Sequence, residues 1–240
     1  RDIVSRPEQI FIATASGAPV RDIINTWVFQ PGYPLLTVVE TNASPPAISL
    51  QQQRFYLDGS HPLTKEKWMI PVGFRAINHP AEQTGQSEAD KKVITQEATS
   101  SLPLADAIGN PDPNTPILAN AGGVGFYRTR YDDPLYARIL GQPRLNLDPS
   151  ERRALISDTE AVMRAGFVPV TRYLDLIVHY KDETDQSVWG SIISELTYFD
   201  AYIKEANRKA YQKFVRDELS QIYARLGWEA KPTDSPQIRE

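Results

Sequence analysis

Proline placement divides this chain more sharply than any other feature. Of 19 prolines in 240 residues, 16 fall at or before Pro149 and only three follow it. Proline fixes φ and removes a backbone donor, so it suits turns, strand edges and first helical turns and breaks helix interiors. The early part is therefore confined to short elements between turns, and only the last 90 residues leave room for long helices.

The hydrophobic period changes at the same place. Leu35–Val39 is a largely β-branched run stopped by Asn42 and Pro45-Pro46, and Ile48, Leu50, Phe55 and Leu57 punctuate 47–57. Trp68–Phe74, Lys92–Gln96, Ile117-Leu118 and Gly125–Tyr131 continue the strand series, with Pro71 marking an edge strand or a bulge. Such spacing with Pro/Gly turns predicts an antiparallel sandwich rather than βαβ units. Tyr33, Phe55, Trp68, Phe74, Phe126 and Tyr127 are its expected aromatic core.

After Pro149 the period becomes about 3.6. Asp148-Pro149-Ser150-Glu151 predicts a helix start with Asp as N-cap, Pro at N1 and Glu at N3. Leu155, Ile156, Thr159, Val162 and Met163 form its stripe, and Gly166 ends it. Further stripes run through Tyr173–Val178, Val188–Ile203 and Ala210–Leu226, and Pro134–Leu140 predicts a short bridging helix. The fold expected is all-β plus all-α: an antiparallel β-sandwich followed by antiparallel helical hairpins, a truncated solenoid or bundle. Charge follows the same division, with 13 basic and 15 acidic residues in the first 150 positions and equal numbers in the last 90.

Composition excludes several functions. With no cysteine, disulfide scaffolds, thiol catalysis and Cys-based metal centres fall away, while cytosol and periplasm stay equally compatible. No apolar run approaches the length of a membrane span. The formal charge of -4 and pI near 5.5 argue against nucleic acid. The densest basic stretch, Arg208 to Arg216, alternates with acids as a solvated helix face. A start at Arg1 without Met or a leader predicts a piece of a longer chain.

Catalytic motifs are also missing. His61, His79 and His179 are isolated, and no His-Glu-x-x-His, P-loop or Gly-x-Ser-x-Gly occurs. Ala121–Gly125 lacks the dinucleotide fingerprint's spacing and precedes a strand, so it reads as a turn. The carboxylate pairs Asp132-Asp133, Asp182-Glu183 and Asp217-Glu218 sit in charged contexts that predict solvated or capping roles. Arg128 and Arg130, two apart on one strand, share a face, and pairing with an Asp or a carbonyl across a domain seam is the favoured role.

Four stretches together resemble the C-terminal part of the M1 (gluzincin) zinc aminopeptidases. They are Trp27–Pro34 (Trp-x-x-Gln-x-Gly-Tyr-Pro); Gln53-Arg54-Phe55 with Trp68–Val72; Asn120 with Gly125–Asp132 (Gly-Phe-Tyr-Arg-x-x-Tyr-Asp); and Glu151–Asp158 (Arg-x-x-Leu-Ile-x-Asp) with the later Leu226-Gly227-Trp228. The resemblance implies a tail of the catalytic domain at 1–26, a β-sandwich domain at 27–141 and the start of a C-terminal helical domain at 142–240. It also implies a non-catalytic piece that supports and encloses the cleft of a zinc-dependent parent enzyme removing N-terminal residues from peptides. Its partners would be the catalytic and N-terminal domains of the same chain and, through them, a peptide substrate. The zinc ligands of that family lie in its catalytic domain and match nothing here, so no catalytic, cofactor or metal residue is carried over. The alternative is a peptide- or carbohydrate-binding sandwich with a helical extension, using Tyr56, His61 and Trp68 as its rim; burial of Trp68 would remove it.

Overall fold

A computed structural model describes residues 19–62, 64–77, 91–109, 112–142 and 146–227. Residues 1–18, His79 and Trp228 lie outside the described residues. Helix α1 (Val20–Val28) leads into strands β1 (Pro34–Glu40), β2 (Ala47–Arg54), β3 (Ile70–Ala76), β4 (Lys91–Thr95) and β5 (Thr99–Pro103). Helix α2 (Leu104–Ile108), β6 (Ile117–Ala119) and β7 (Arg128–Tyr131) follow, then α3 (Asp133–Leu140), α4 (Pro149–Arg164), α5 (Val170–Ile177), α6 (Gln186–Asp200) and α7 (Glu205–Leu226).

The strands form a sheet of order β5-β2-β1-β7 and a second of order β4-β3-β6. Alternation on β2 and β3 buries Ile48 and Leu50 from the first sheet and Ile70, Val72 and Phe74 from the second in one cluster with Trp68. Strand β1 is buried on both faces, which explains its unbroken apolar run. Leu36 and Val38 join the shared cluster, whereas Leu35 turns outward to Phe55, Ala161, Val162 and Ala165. Helix α4 thus covers the outer face of the first sheet, and the same apolar cluster runs on through Leu155 and Ile156 into Tyr173, Leu176, Val188 and Ile192.

Three expectations change. The sheets are not wholly antiparallel: β1 and β7 pair parallel, with Leu35 opposite Arg128 and Val38 opposite Tyr131. No hairpin constrains this pair, because the chain between them passes through the other sheet. Pro71 lies in the central strand of its sheet, not an edge strand. It is accommodated because β6 pairs only with Phe74–Ala76, so at Pro71 the strand has a single neighbour, β4. Of the expected aromatic core, Trp68, Phe74, Tyr127 and Phe55 are buried, Tyr33 is half-buried, and Phe126 is 74% exposed. Phe126 lies just before β7, where strand alternation has not begun.

The helix signals read from the residues hold. Asp148 accepts the Glu151 N–H at 2.8 Å and the Glu151 side chain accepts the Asp148 N–H at 3.1 Å, with Pro149 opening the helix. Asp132 caps α3 through the Leu135 N–H and also accepts the Glu40 N–H at 2.7 Å, fastening the helix to β1.

The chain crosses from β6 to β7 through a tight 3₁₀ turn, Ala121–Gly123, where Gly123 has φ +65°. A Cβ there would stand 2.9 Å from the Ser150 carbonyl oxygen, so the turn touches the start of α4 backbone to backbone. Gly190, inside α6, has open space around it. In urea denaturation, Gly123→Ala is expected to lose about 1–3 kcal/mol. Gly190→Ala should gain about 0.5–1 kcal/mol. Equal effects of the two would contradict the close contact.

Candidate functional site

The place where sequence signals converge is the seam between the sheets and α4. Its first fastening is Glu151, 2% exposed, whose carboxylate accepts from Arg75 Nε at 3.0 Å and from Arg75 Nη2. The same carboxylate accepts the Gly122 N–H at 3.0 Å, in addition to its capping bond at Asp148. Arg75 completes its shell on the Asn146 carbonyl at 3.1 Å. One side chain therefore joins β3, the 3₁₀ turn and the N-terminus of α4. Arg75 escaped the sequence reading; its only signal is a lone arginine inside the apolar run Val72–Ile77.

Two turns along α4, Asp158 makes the second fastening. Its Oδ2 accepts the Thr129 N–H at 2.8 Å and Thr129 Oγ1 at 2.6 Å, and its Oδ1 pairs with Arg128 Nη1 at 3.1 Å. A buried carboxylate thereby occupies the free edge of β7, where an unpaired N–H would otherwise be costly. Burial alone disfavours the Arg128 charge, but the charge and hydrogen bond of Asp158 outweigh it and hold the guanidinium above its usual value. Arg128 takes the pairing role expected of it. Arg130 shares its side of the strand but lies over the Phe167 ring at 4.9 Å. Burial, then the nearby Arg172 charge, lowers its pKa.

The remaining motif residues also hold the frame. Tyr131 Oη bridges the two sheets, accepting the Ala119 N–H at 2.9 Å and donating to the Ala119 carbonyl at 3.0 Å, and burial raises its pKa. Asn120 accepts the Gly125 N–H at 2.7 Å and keeps the turn closed. Arg152 grips Glu183 through both ends of its guanidinium. Glu183 is buried and also accepts the Thr184 and Asp185 N–H groups at 2.7 and 2.8 Å, so it caps that turn within an ion pair, while Asp182 is exposed. Asp133 pairs with Arg172 at 2.6 Å, and Asp217 and Glu218 face Lys213 and Lys181.

Next to the fastened turn lies an exposed apolar surface. Val124 is 83% exposed, and Phe126 is exposed with it beside Ile23 and Trp27. Trp27 anchors this surface, its Nε1 donating to the Met69 carbonyl at 3.0 Å and its ring 6.2 Å from Phe126.

Two other candidates do not assemble. Trp68 is fully buried, its backbone N–H donating to Gln52 Oε1 at 2.8 Å, so the rim of Tyr56, His61 and Trp68 does not form and the binding-module reading falls. His61 instead stacks on Phe167, 4.2 Å between ring centroids. A zinc site is not offered by the described residues: no three His, Asp or Glu side chains converge, and His179 lies apart in the 3₁₀ turn after α5.

A carboxylate pair within the helices is set apart by its electrostatics. Arg164 pairs with Glu160 at 3.2 Å and with buried Glu195. Burial, then the Glu195 charge, raises the Glu160 pKa above the ordinary 4.5.

Residues 116–240 match the family model described as the ERAP1-like C-terminal domain. Glutamyl aminopeptidase of Sus scrofa is 27% identical over 89% of this chain and 22% of its own length. Aminopeptidase 2, mitochondrial, of Saccharomyces cerevisiae is 26% identical over 93% of this chain and 22% of its own. Tricorn protease-interacting factor F2 of Thermoplasma volcanium is 29% identical over 93% and 25% respectively. The chain thus spans about a quarter or less of the length of these relatives.

Two stability measurements test the seam. Glu151→Gln and Arg75→Met should each cost about 3–5 kcal/mol, since each strands a buried partner. The double variant should cost at least about 1 kcal/mol less than their sum; strict additivity would refute the pairing. Glu160 has a folded pKa above its unfolded one, so the folded state takes up the proton first and stability is gained as pH falls through the folded value. Glu160→Gln should therefore gain about 0.5 kcal/mol over the parent sequence at pH 7, a solvent-screened amount, and the gain should vanish below pH 4.5. A gain that persists in acid would contradict the raised Glu160 pKa that burial and the Glu195 charge produce.

The family match over more than half of the chain places this protein in the ERAP1-like C-terminal domain family, and the motifs that build the seam resemble the C-terminal region of the M1 aminopeptidases.

Proposed function

We propose that this chain is the non-catalytic C-terminal part of an M1-type zinc aminopeptidase, supporting and enclosing the cleft in which the longer protein removes N-terminal residues from peptides. In this reading residues 1–26 are the tail of the catalytic domain, 27–141 a face-to-face β-sandwich and 142–240 the first antiparallel hairpins of the helical domain. The observation that carries it is the seam. Two buried carboxylates of one helix, Glu151 and Asp158, bind the sheets through Arg75, Arg128 and Thr129. Buried ion pairs add little net stability but fix orientation, because removing either partner is costly. Helices held at a fixed angle to the sheets can act as a wall that excludes water and limits entry.

The exposed surface of Val124 and Phe126 beside Trp27 supports a partner within the same chain. An apolar patch beside a rigid turn suits docking of the upstream catalytic domain. The zinc, which would activate water for peptide hydrolysis, belongs in this reading to residues upstream of this chain. What these residues contribute is placement: the turn presents the docking surface, and α4 carries the helices at a fixed angle.

Aminoacyl-anilide hydrolysis tests the reading. The 240-residue chain should show no turnover above background, with or without added zinc. The full-length protein should turn over and lose activity to a chelator. In that full-length protein, Phe126→Asp should reduce kcat/KM by about tenfold or more through undocking. Zinc-dependent turnover by the 240-residue chain alone would overturn the assignment.

A further inference from the structure

Beside the seam lies an open pocket that Arg128 and Asp158 of the ion pair help to line. It has a volume of about 260 Å³ and lies between the Asn120–Arg128 segment, the first turns of α4 and Ser191 of α6. Its wall includes Asn120, Gly125, Arg128, Ser150, Arg153 and Ser157.

A hydrogen-bond census decides what could occupy it. The carboxylate and amide side-chain oxygens in the wall are engaged. Asp158 Oδ1 receives Arg128, Asp158 Oδ2 receives the Thr129 N–H and hydroxyl, and Asn120 Oδ1 receives the Gly125 N–H. Ser191 spends its proton on the Ser187 carbonyl at 3.1 Å. The donors, by contrast, are left over. Arg153 makes no ion pair with a described residue, although it stands at the cavity wall. Ser157 accepts Arg128 Nη1 at 2.7 Å, which leaves its own hydrogen free to turn inward. The Ser150 hydroxyl has no partner among the described residues and lies beside them. Two guanidinium groups against one carboxylate leave the wall with net positive charge.

We propose that this cavity binds a small oxyanion, a phosphate or a carboxylate, on Arg153 with the hydroxyls of Ser150 and Ser157. A cation is disfavoured because the two guanidinium groups of Arg128 and Arg153 outnumber the one carboxylate, Asp158. A large cofactor is disfavoured by size, since sites for drug-sized ligands start at about 300 Å³. The guanidinium fork of Arg153 matches either oxyanion in two-point geometry. Arg128, already committed to Asp158, contributes its field rather than a new bond. The three groups lie on one face of α4, at positions 150, 153 and 157, and the β6–β7 crossover and α6 form the rest of the wall. The site stands on residues of this chain and does not depend on the aminopeptidase reading.

Thermal unfolding at constant ionic strength tests it, with inorganic phosphate and acetate titrated separately against chloride. The chain should show a saturable rise in midpoint, about 4 °C at saturation, with at least one probe. A response to phosphate alone identifies a phosphate site, and a response to acetate alone a carboxylate site. Arg153→Gln, at an exposed helix position where substitution is tolerated, should abolish the saturable rise while keeping the starting midpoint. Lys209→Gln, a cation change far along on α7, should leave the rise intact. No saturable rise with either probe, or an equal rise in Arg153→Gln, would overturn the proposal.

Discussion

The carboxylate of Glu151 is the constraint on which the rest of this architecture depends. It closes the capping box that starts α4, receives the guanidinium of Arg75 from the middle of β3, and holds the Gly122 N–H of the crossover turn. Each of those groups would be buried and unsatisfied without it, and a buried polar group without a partner is expensive. The start of the helix, the position of the second sheet and the shape of the turn are therefore one choice. Asp158 repeats the device two turns later at the edge of β7. Between these fixed points the apolar contacts of Leu35, Phe55, Ala161 and Val162 can only pack in one register.

Much of this was legible from the residues because its physics is local. The box at Asp148–Glu151, the stop at Gly166 and the cap at Asp132 depend on groups within a few positions of one another. The strands around Leu35–Val39 and Ile117-Leu118 were legible because burial on both faces leaves an unbroken apolar run. What the residues could not show is pairing between distant groups. Nothing near Arg75 announces a carboxylate 76 positions away. The parallel pairing of β1 and β7 was equally hidden, since strand direction is fixed by a crossover rather than by composition. Strand β5, Thr99–Pro103, carries only one buried side chain, Leu102, and so offers almost no hydrophobic signal.

The seam was legible in a different way. Its residues Arg128, Tyr131, Asp132, Arg152 and Asp158 all belong to the motifs that carried the family resemblance. In the fold, their common task is to satisfy one another across a boundary between sheet and helix. Motifs of this kind mark a protein family through its joints, and the chemistry can lie elsewhere.

The parallel pairing of β1 and β7 has a mechanical consequence. Tension applied between the chain before β1 and the helices after β7 pulls on opposite ends of the two neighbouring strands. Their hydrogen bonds, spanning Leu35–Arg128 to Val38–Tyr131, are then loaded together in shear rather than peeled one at a time. An antiparallel pair in the same place would unzip from its end. The joint is consequently stiff along the direction in which the upstream and helical parts of a longer chain would be drawn apart.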